Sequence, residues 1–474
     1  MSILPVLNSG GKERNKARNA YPSFMKLWLP ILLAVFVIAA VPAPEPPAWK
    51  AGAASAKITP EKSMWMAGYA ARTKPSEGVE LDLYAKAFVL TDQSGGRFAL
   101  ITMDLIGVPR NLRLAVAERV KKEHGIDSAN LAINASHTHS GPELRTSKIH
   151  GADDLALREK EAAEYTSQLE NTLVKLVGEA LQKSVPAHLD YSTARCGVSM
   201  NRRTPDGQGG WNNFPNPNGP VDQTVPVLKA SSAEGKDIAI IFGYSCHCTT
   251  LGHQKFSGDY AGYAQQEIEK AHPDAVAMFA NGCSGDQNPY PRNKTELAQT
   301  HGKSLATSVQ AALETHMQRL KGPIRAAYRE IPLAYDKLPT QEQLLEEQKS
   351  TNKYLVAHGT RILQRIADEG QLPTTYPYPV QVLRLGNDLT WVTLGGEVVV
   401  DYSLRLKQDL KDPIVWISGY TNDVMAYIPS LRIWQEGGYE GGGAMIYGTH
   451  PTRWSDKTEE NIVSTVMELR KAVE

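Results

Sequence analysis

Leu131-Ala-Ile133-Asn134-Ala-Ser-His137-Thr-His139-Ser-Gly-Pro142 is an apolar run that ends in two imidazoles two residues apart. On an extended backbone residues i and i+2 project to one side, so both histidines leave a strand end together. Neutral imidazole is the commonest metal ligand and the usual proton carrier near neutral pH. In a chain with 12 histidines the pair also fits two hydrogen-bonded loop residues, and the rest of the chain decides between the readings.

The same layout, an apolar strand followed by ligand-type side chains, recurs four more times. Asp237 to Phe242 runs into Ser245-Cys246-His247-Cys248, and Ala275 to Phe279 into Asn281-Gly-Cys283-Ser-Gly285-Asp286-Gln-Asn288-Pro289. Thr390 to Leu394 precedes Gly395-Gly396-Glu397, and Ile414 to Ile417 precedes a segment ending Asn422-Asp423-Val-Met-Ala-Tyr427. In open α/β sheets ligands sit beyond the carboxyl ends of the strands, so five such ends can converge on one crevice. Two His, a Glu and a Tyr can hold a metal that also keeps a water, as catalytic sites require.

Helical periodicity marks Leu112 to His124, Leu155 to Lys183, Tyr260 to Lys270, Thr295 to Leu320, Gln341 to Asp368 and Thr458 to Val473. Strands such as Phe98 to Met103, Ile238 to Phe242, Val380 to Leu385 and Leu389 to Leu394 lie between them. The interleaving predicts an α/β fold of mixed β-sheets flanked by helices, one large catalytic domain with its site at the strand C-terminal ends. Two Gly-rich segments, Thr204 to Pro220 and Gln435 to Gly443, read as irregular loops that wall the site. Cys246 and Cys248 flank His247, and strand alternation aims both away from it. A disulfide to Cys283 and inert buried thiols stay open as alternatives.

At this point the chain resembles the neutral, non-lysosomal ceramidase family, zinc amidases that cleave the N-acyl bond of ceramide. The resemblance runs from about Ala51 to the C-terminus, through Ala56-Lys-Ile-Thr-Pro60, Met66-Ala-Gly-Tyr69, Leu83 to Phe88 and His137-Thr-His-Ser-Gly-Pro142. It continues with Asn201-Arg202, Ser257-Gly-Asp259, Gly262-Tyr-Ala264, Gly285-Asp286, Gly396-Glu397, Tyr427-Ile-Pro429, Tyr439-Glu-Gly441 and Tyr447-Gly448. It implies one catalytic zinc ion held by His137, His247, Glu397 and Tyr427, with His139 as acid/base and Arg202 and Tyr439 facing the substrate. Tyr427 also reads as an ordinary packed tyrosine hydrogen-bonded through its hydroxyl.

One departure matters. The family reads Gly-Asp-Val-Ser-Pro where this chain has Gly285-Asp286-Gln287-Asn288-Pro289, so Asn288 occupies the position of the family's active-site serine. An amide cannot act as a nucleophile, although its NH2 can donate to an oxyanion. Attack by metal-bound water survives the change, because the metal lowers the water's pKa from about 15.7 towards about 7. Ser284 falls outside the family's spacing.

At 474 residues and 42% hydrophobic content the chain can bury a large core. Its net charge is zero, and without residues 1–44 it carries 46 basic against 50 acidic side chains, a net −4. That balance does not point to nucleic acid. Leu27 to Val41 is a 15-residue apolar run behind scattered Lys and Arg and ahead of Pro42-Ala43, which fits a signal peptide. Residues 1–44 are therefore read as a signal peptide of an exported protein, with an N-terminal anchor as the alternative, and 45–474 as the catalytic domain.

Three functions remain. The first is a secreted zinc amidohydrolase acting on a lipid-like N-acyl small molecule, with transient contact to a membrane surface. The second is the same metal scaffold acting on an ester or phosphoester. The third is a zinc-binding relative without turnover, because of Asn288. Family members that cleave ceramide carry a further C-terminal β-sandwich absent before Glu474, so the reaction class is a firmer expectation than ceramide itself.

Overall fold

Leu131–Ala135 is buried along its whole length in the computed structural model, which describes residues 46–144 and 155–474. It is the last strand of a mixed sheet whose order is Val276–Asn281, Asp237–Tyr244, Thr224–Ser232, Val185–Arg195, Trp49–Lys57, Tyr84–Asp92, Arg97–Met103, Leu131–Ala135. The first and the last pair of this order are parallel and the pairs between are antiparallel. Period-2 alternation sorts these strands into two faces. Phe88, Leu100, Leu228 and Ile241 point one way, whereas Val89, Ile101, Val227 and Phe242 point the other.

A second sheet, in the order Ile324–Ala334, Thr375–Leu385, Leu389–Leu394, Ile414–Ser418, packs on the first of those faces. Leu383, Leu385, Trp391 and Trp416 share its core, and the two indoles stack with centroids 4.1 Å apart. Helices cover both outer faces. Arg110–His124, Leu155–Gln182, Asp259–Ala271 and Thr295–Leu313 lie on the large sheet, and Val400–Asp409 and Thr458–Ala472 on the small one. The expected α/β class of mixed sheets flanked by helices is thus realised as four layers, helix, sheet, sheet, helix.

Four local readings need correction. The helix expected over Thr295 to Leu320 stops at Leu313, and Gln318–Leu320 becomes a strand paired with Val185–Arg195. The stretch Gln341 to Asp368 is two helices, because Thr340 caps the first with a capping box and Asn352 caps the second by accepting from the Tyr354 N–H. Thr204 to Pro220 is largely a hairpin of Ser199–Pro205 and Trp211–Asn216, turned at Asp206, whose carboxylate accepts from the Gln208 and Gly210 N–H groups. Gln435 to Gly443 begins inside the helix Leu431–Glu436. All four cysteines are buried free thiols, with Cys246 and Cys248 in one hydrophobic cluster and Cys283 in another. Residues 1–44, read above as a signal peptide, lie outside the described residues, among which no helix is long and apolar enough to cross a membrane.

Candidate metal centre

The edge of the large sheet at Leu131–Ala135 is closed by the chain that leaves the small sheet. The Asn422 N–H donates to the Ile133 carbonyl at 2.7 Å, and the Ala135 N–H to that of Tyr420 at 3.1 Å. Asn134 completes the seam: its Nδ2 donates to Gly419 O and Thr421 Oγ1, and its Oδ1 accepts from the Asn281 N–H. One side chain thereby pins the ends of Leu131–Ala135, Val276–Asn281 and Ile414–Ser418 together. Nothing in the sequence pattern distinguished this asparagine from its neighbours.

Beyond that seam the chain turns sharply at His137, which holds φ at 63°. A non-glycine residue there is strained by about 1 kcal/mol, and it is fixed by a bond from its N–H to the Leu105 carbonyl. Its Nδ1 lies 2.6 Å from the Ile106 carbonyl, and the Nδ1 of His247 lies 2.6 Å from the Ser284 carbonyl. A carbonyl only accepts, so both Nδ1 atoms carry a proton, and in the neutral rings the lone pairs lie on Nε2. Those lone pairs meet one oxygen: Glu397 Oε2 is 3.1 Å from His137 Nε2 and 3.3 Å from His247 Nε2.

With both rings neutral, three lone-pair atoms facing one another in a buried site fit a cation between them. Glu397 Oε2 has no hydrogen-bond donor among the described residues, consistent with that need. Burial and the nearby Arg202 push His247 down to about 3, which keeps it neutral and able to ligate. Locking the far ring nitrogen to a carbonyl is the usual outer support of a metal-bound histidine. Glu397 reaches this point because Gly396 precedes it at φ 78°, where a Cβ would lie 2.8 Å from the Ala426 carbonyl.

Glu397 and Tyr427 are parallel bridge partners, so the tyrosine arrives beside the carboxylate. Its hydroxyl is 3.3 Å from His247 Nε2 and accepts from Arg202 Nη2 at 2.9 Å. Burial raises the Tyr427 hydroxyl pKa, and Arg202 opposes the shift. His139 Nε2 stands 3.1 Å from His137 Nε2, and the ligand atoms of His137, His139 and His247 lie within 4.8 Å of one another. His139 therefore counts as a third imidazole that can reach a metal as well as a proton carrier. Burial, then the two neighbouring imidazoles, hold it well below the usual histidine range, and its buried Nδ1 has no partner among the described residues.

Arg202 and Arg203 are consecutive on the strand Ser199–Pro205 and share Glu440. Arg202 Nε donates to one carboxylate oxygen at 2.9 Å and Arg203 Nη1 to the other at 2.6 Å. Arg203 looks like an ordinary loop charge until the fold buries it, and Glu440, although inside the Tyr439-Glu-Gly441 match, carries no role that the sequence alone assigns. Tyr439 stands at the rim, 43% exposed, with its ring 5.3 Å from that of Tyr427.

Asn288 is fully buried beside Arg202, but its amide is turned away from the oxyanion-donor role expected of it. Its Oδ1 accepts from Arg202 Nη1 and Thr249 Oγ1, and a guanidinium can only donate, which fixes the orientation. The Nδ2 then donates to Asn213 Oδ1 and Tyr290 OH, on the hairpin side. Asn288 positions Arg202.

The family model for neutral/alkaline non-lysosomal ceramidase, N-terminal, matches residues 49–326, more than half of the chain. The chain belongs to this family. The neutral ceramidase B of Dictyostelium discoideum is 25% identical over 252 residues, which cover 48% of this chain and 33% of the relative. The neutral ceramidase of Drosophila melanogaster is 30% identical over 261 residues, 51% of this chain and 36% of the relative. The matched stretch therefore spans about a third of these relatives' length. The fold is that of the crystal structure of neutral ceramidase from Pseudomonas aeruginosa, with a TM-score of 0.72 at 20% identity over 90% of this chain and 74% of that one. A structure described as ceramidase complexed with C2 gives 0.69 at 20% identity over 91% and 76%. Glu397, Tyr427 and Tyr439 lie beyond the family-matched residues, so their place in the site rests on the geometry above.

Proposed function

We propose that this chain is an exported, zinc-dependent amidohydrolase that cleaves a linear, ceramide-like N-acyl amide. The observation that carries the reading is the convergence of two Nε2 lone pairs and Glu397 Oε2 on one point, with both Nδ1 atoms locked to carbonyls. Family membership supports the amide as the bond cleaved. Zinc held by His137, His247, Glu397 and Tyr427 would polarise the acyl carbonyl and lower the pKa of a water. Hydrolysis joins the water oxygen to the acyl carbon and breaks the C–N bond, and the amine leaves with a proton.

His139 suits that proton transfer, since it is neutral, adjacent to the ligand atoms and has an open Nδ1. Arg202 sets a fixed positive charge beside the Tyr427 hydroxyl, where negative charge develops on the carbonyl oxygen. With Asn288 engaged by four partners, no serine at its position is needed in this scheme. Export rests on the apolar run Leu27 to Val41 behind Lys26. The test is release of fatty acid from a fluorogenic N-acyl sphingosine by the full chain, with and without chelator, beside metal content by mass spectrometry. Chelator-sensitive release with stoichiometric zinc is expected, and release that survives metal removal would refute the reading.

A further inference from the structure

The helix Lys353–Glu369 turns one stripe of side chains to the loops around the metal centre. Its start is fixed by Asn352, whose side chain accepts from the Tyr354 N–H. From there Tyr354, His358 and Arg361 follow at i, i+4 and i+7, the spacing of one helix face. The Tyr354 hydroxyl donates to the Ala70 carbonyl at 3.0 Å, His358 Nε2 to that of His450 at 2.9 Å and Arg361 Nη2 to that of Ile446 at 2.9 Å. One helix face thus ties the loop after Tyr69 to the chain around Gly443–Tyr447, far away in sequence.

Ring contacts complete a closed circuit through that tie. Tyr69 packs edge-on against His139 with centroids 4.8 Å apart, and His139 lies 5.8 Å from the His247 ring. His247 stacks with Tyr427 at 6.3 Å, and Tyr427 meets Tyr439 at 5.3 Å. Tyr439 meets Tyr447 at 6.1 Å, and Tyr447 meets Tyr354 at 4.8 Å. The bond from Tyr354 to Ala70 returns the path to Tyr69. His247 and Tyr427 are buried, whereas His139, Tyr69, Tyr354, Tyr447 and Tyr439 keep part of their surface in solvent. The circuit is therefore deep at the reacting centre and open along an arc of tyrosines, the form of a crevice rim and not of a packed core. Lys353 stands over the Tyr354 ring at 5.1 Å and Arg72 over that of Tyr69 at 5.3 Å, contacts that hold both rings in place.

We propose that Tyr69, Tyr354 and Tyr447 line the subsite for the substituent on the amide nitrogen, with Tyr354 its specificity-determining residue, and that this substituent is an extended apolar chain. This rests on the amidase reading, in which His139 hands a proton to the departing nitrogen. Tyr69 is the next ring along the rim from His139. Arg202 and Tyr427 take the carbonyl oxygen at the other end of the arc, so the nitrogen and its substituent leave across Tyr69 towards Tyr354. Phenol rings offer methylene groups a flat apolar surface and lose little side-chain freedom in doing so.

The test pairs two isomers in which the amide is reversed: N-decylacetamide, with its long chain on nitrogen, and N-methylundecanamide, with its long chain on the acyl carbon. Calorimetric binding to the full-length protein and hydrolysis are both measured. Tyr354→Ala and Tyr447→Ala should each weaken binding of N-decylacetamide by about tenfold, as uncovering about two methylene groups gives, and that of N-methylundecanamide by about twofold or less. Tyr354→Phe keeps the ring and loses only the bond to Ala70, so it should bring the loss back to about threefold or less. No measurable binding of N-decylacetamide, equal weakening of the two isomers, or a larger effect on N-methylundecanamide would overturn the subsite. Selective weakening without hydrolysis of either isomer supports the subsite and counts against the amidase reading. Hydrolysis of both without selective weakening does the reverse.

Discussion

Glu440→Gln is the perturbation that most directly tests whether the site depends on its charge framework. Glu440 divides its two oxygens between Arg202 and Arg203, and all three side chains are at most 4% exposed. Burial raises the Glu440 pKa, and the two guanidinium groups outweigh that and leave it below the usual carboxylate range. The amide keeps one acceptor and turns an NH2 towards a guanidinium that can only donate. Removing one partner of a buried pair costs about 3–5 kcal/mol, and the surviving acceptor places this change near the lower end, at about 3 kcal/mol. The unit Pro46–Glu474 has roughly 430 residues, for which the unfolding entropy is about 0.9 kcal/mol/K, so Tm should fall by about 3 °C. Circular dichroism melts read this, with Glu436→Gln as the control. That more exposed partner of Arg203 should cost about 1 °C or less. Because the Glu440 pKa is depressed, the stabilisation is present above about pH 4.3 and lost as pH falls below it, so the difference between wild type and variant should shrink at pH 4. In turnover, kcat should drop by about tenfold or more with KM little changed, since Arg202 loses its anchor. An unchanged Tm with unchanged kcat would refute the framework argument.

The other predictions concern metal, asparagine and pH. His137→Ala or His247→Ala should abolish stoichiometric zinc by mass spectrometry while the far-UV spectrum stays native, and retention of metal in both would sink the ligand set. Asn288→Ser removes a group bonded to Arg202, Thr249, Asn213 and Tyr290, so it should lower stability by about 1–3 kcal/mol in urea melts and leave kcat at or below the wild-type value. A rise in kcat would show instead that serine chemistry is latent. Burial, opposed by the Val400 N–H and helped by Asp401 and Glu440, pushes Asp286 up to about 7. A raised carboxyl pKa favours the folded state at low pH, so Asp286 should cost stability as pH rises from about 4 to about 7, by at most about 1.4 kcal/mol per pH unit. Urea midpoints with a slope no different in Asp286→Asn would remove that assignment.

Much of this was legible in the sequence because parallel, doubly buried strands leave a plain signature. Leu131 to Ile133, Asp237 to Phe242 and Thr390 to Leu394 are apolar runs, and the polar residue that ends each run marks the strand's carboxyl end. What was not legible came from pairing and from bond direction. The hairpin at Thr204 to Pro220 hides its strands because Asn212, Asn213 and Phe214 face solvent and carry no hydrophobic alternation. The break between the helices Gln341–Glu347 and Lys353–Glu369 depends on side-chain oxygens of Thr340 and Asn352, which local propensity weighs only faintly. The turning of the Asn288 amide is set by Arg202 and Thr249, residues 86 and 39 positions away in sequence.

The same distinction explains where the site lies. His137 and His247 leave strands of the large sheet, whereas Glu397 and Tyr427 follow strands of the small one. The two halves of the proposed ligand set therefore belong to different sheets, joined at the inter-sheet core of Trp391, Trp416, Leu383 and Leu389 and stitched at the edge by Asn134. A shift of either sheet would move Glu397 Oε2 relative to both imidazoles, and a metal tolerates little such error because its ligand distances vary by only about 0.2 Å. Stacked indoles and a fully bonded buried asparagine are stiff connections of the kind that hold such a tolerance. The core that sets the fold and the geometry that sets the chemistry are here one constraint, which is why side chains separated by up to 260 positions meet at a single point.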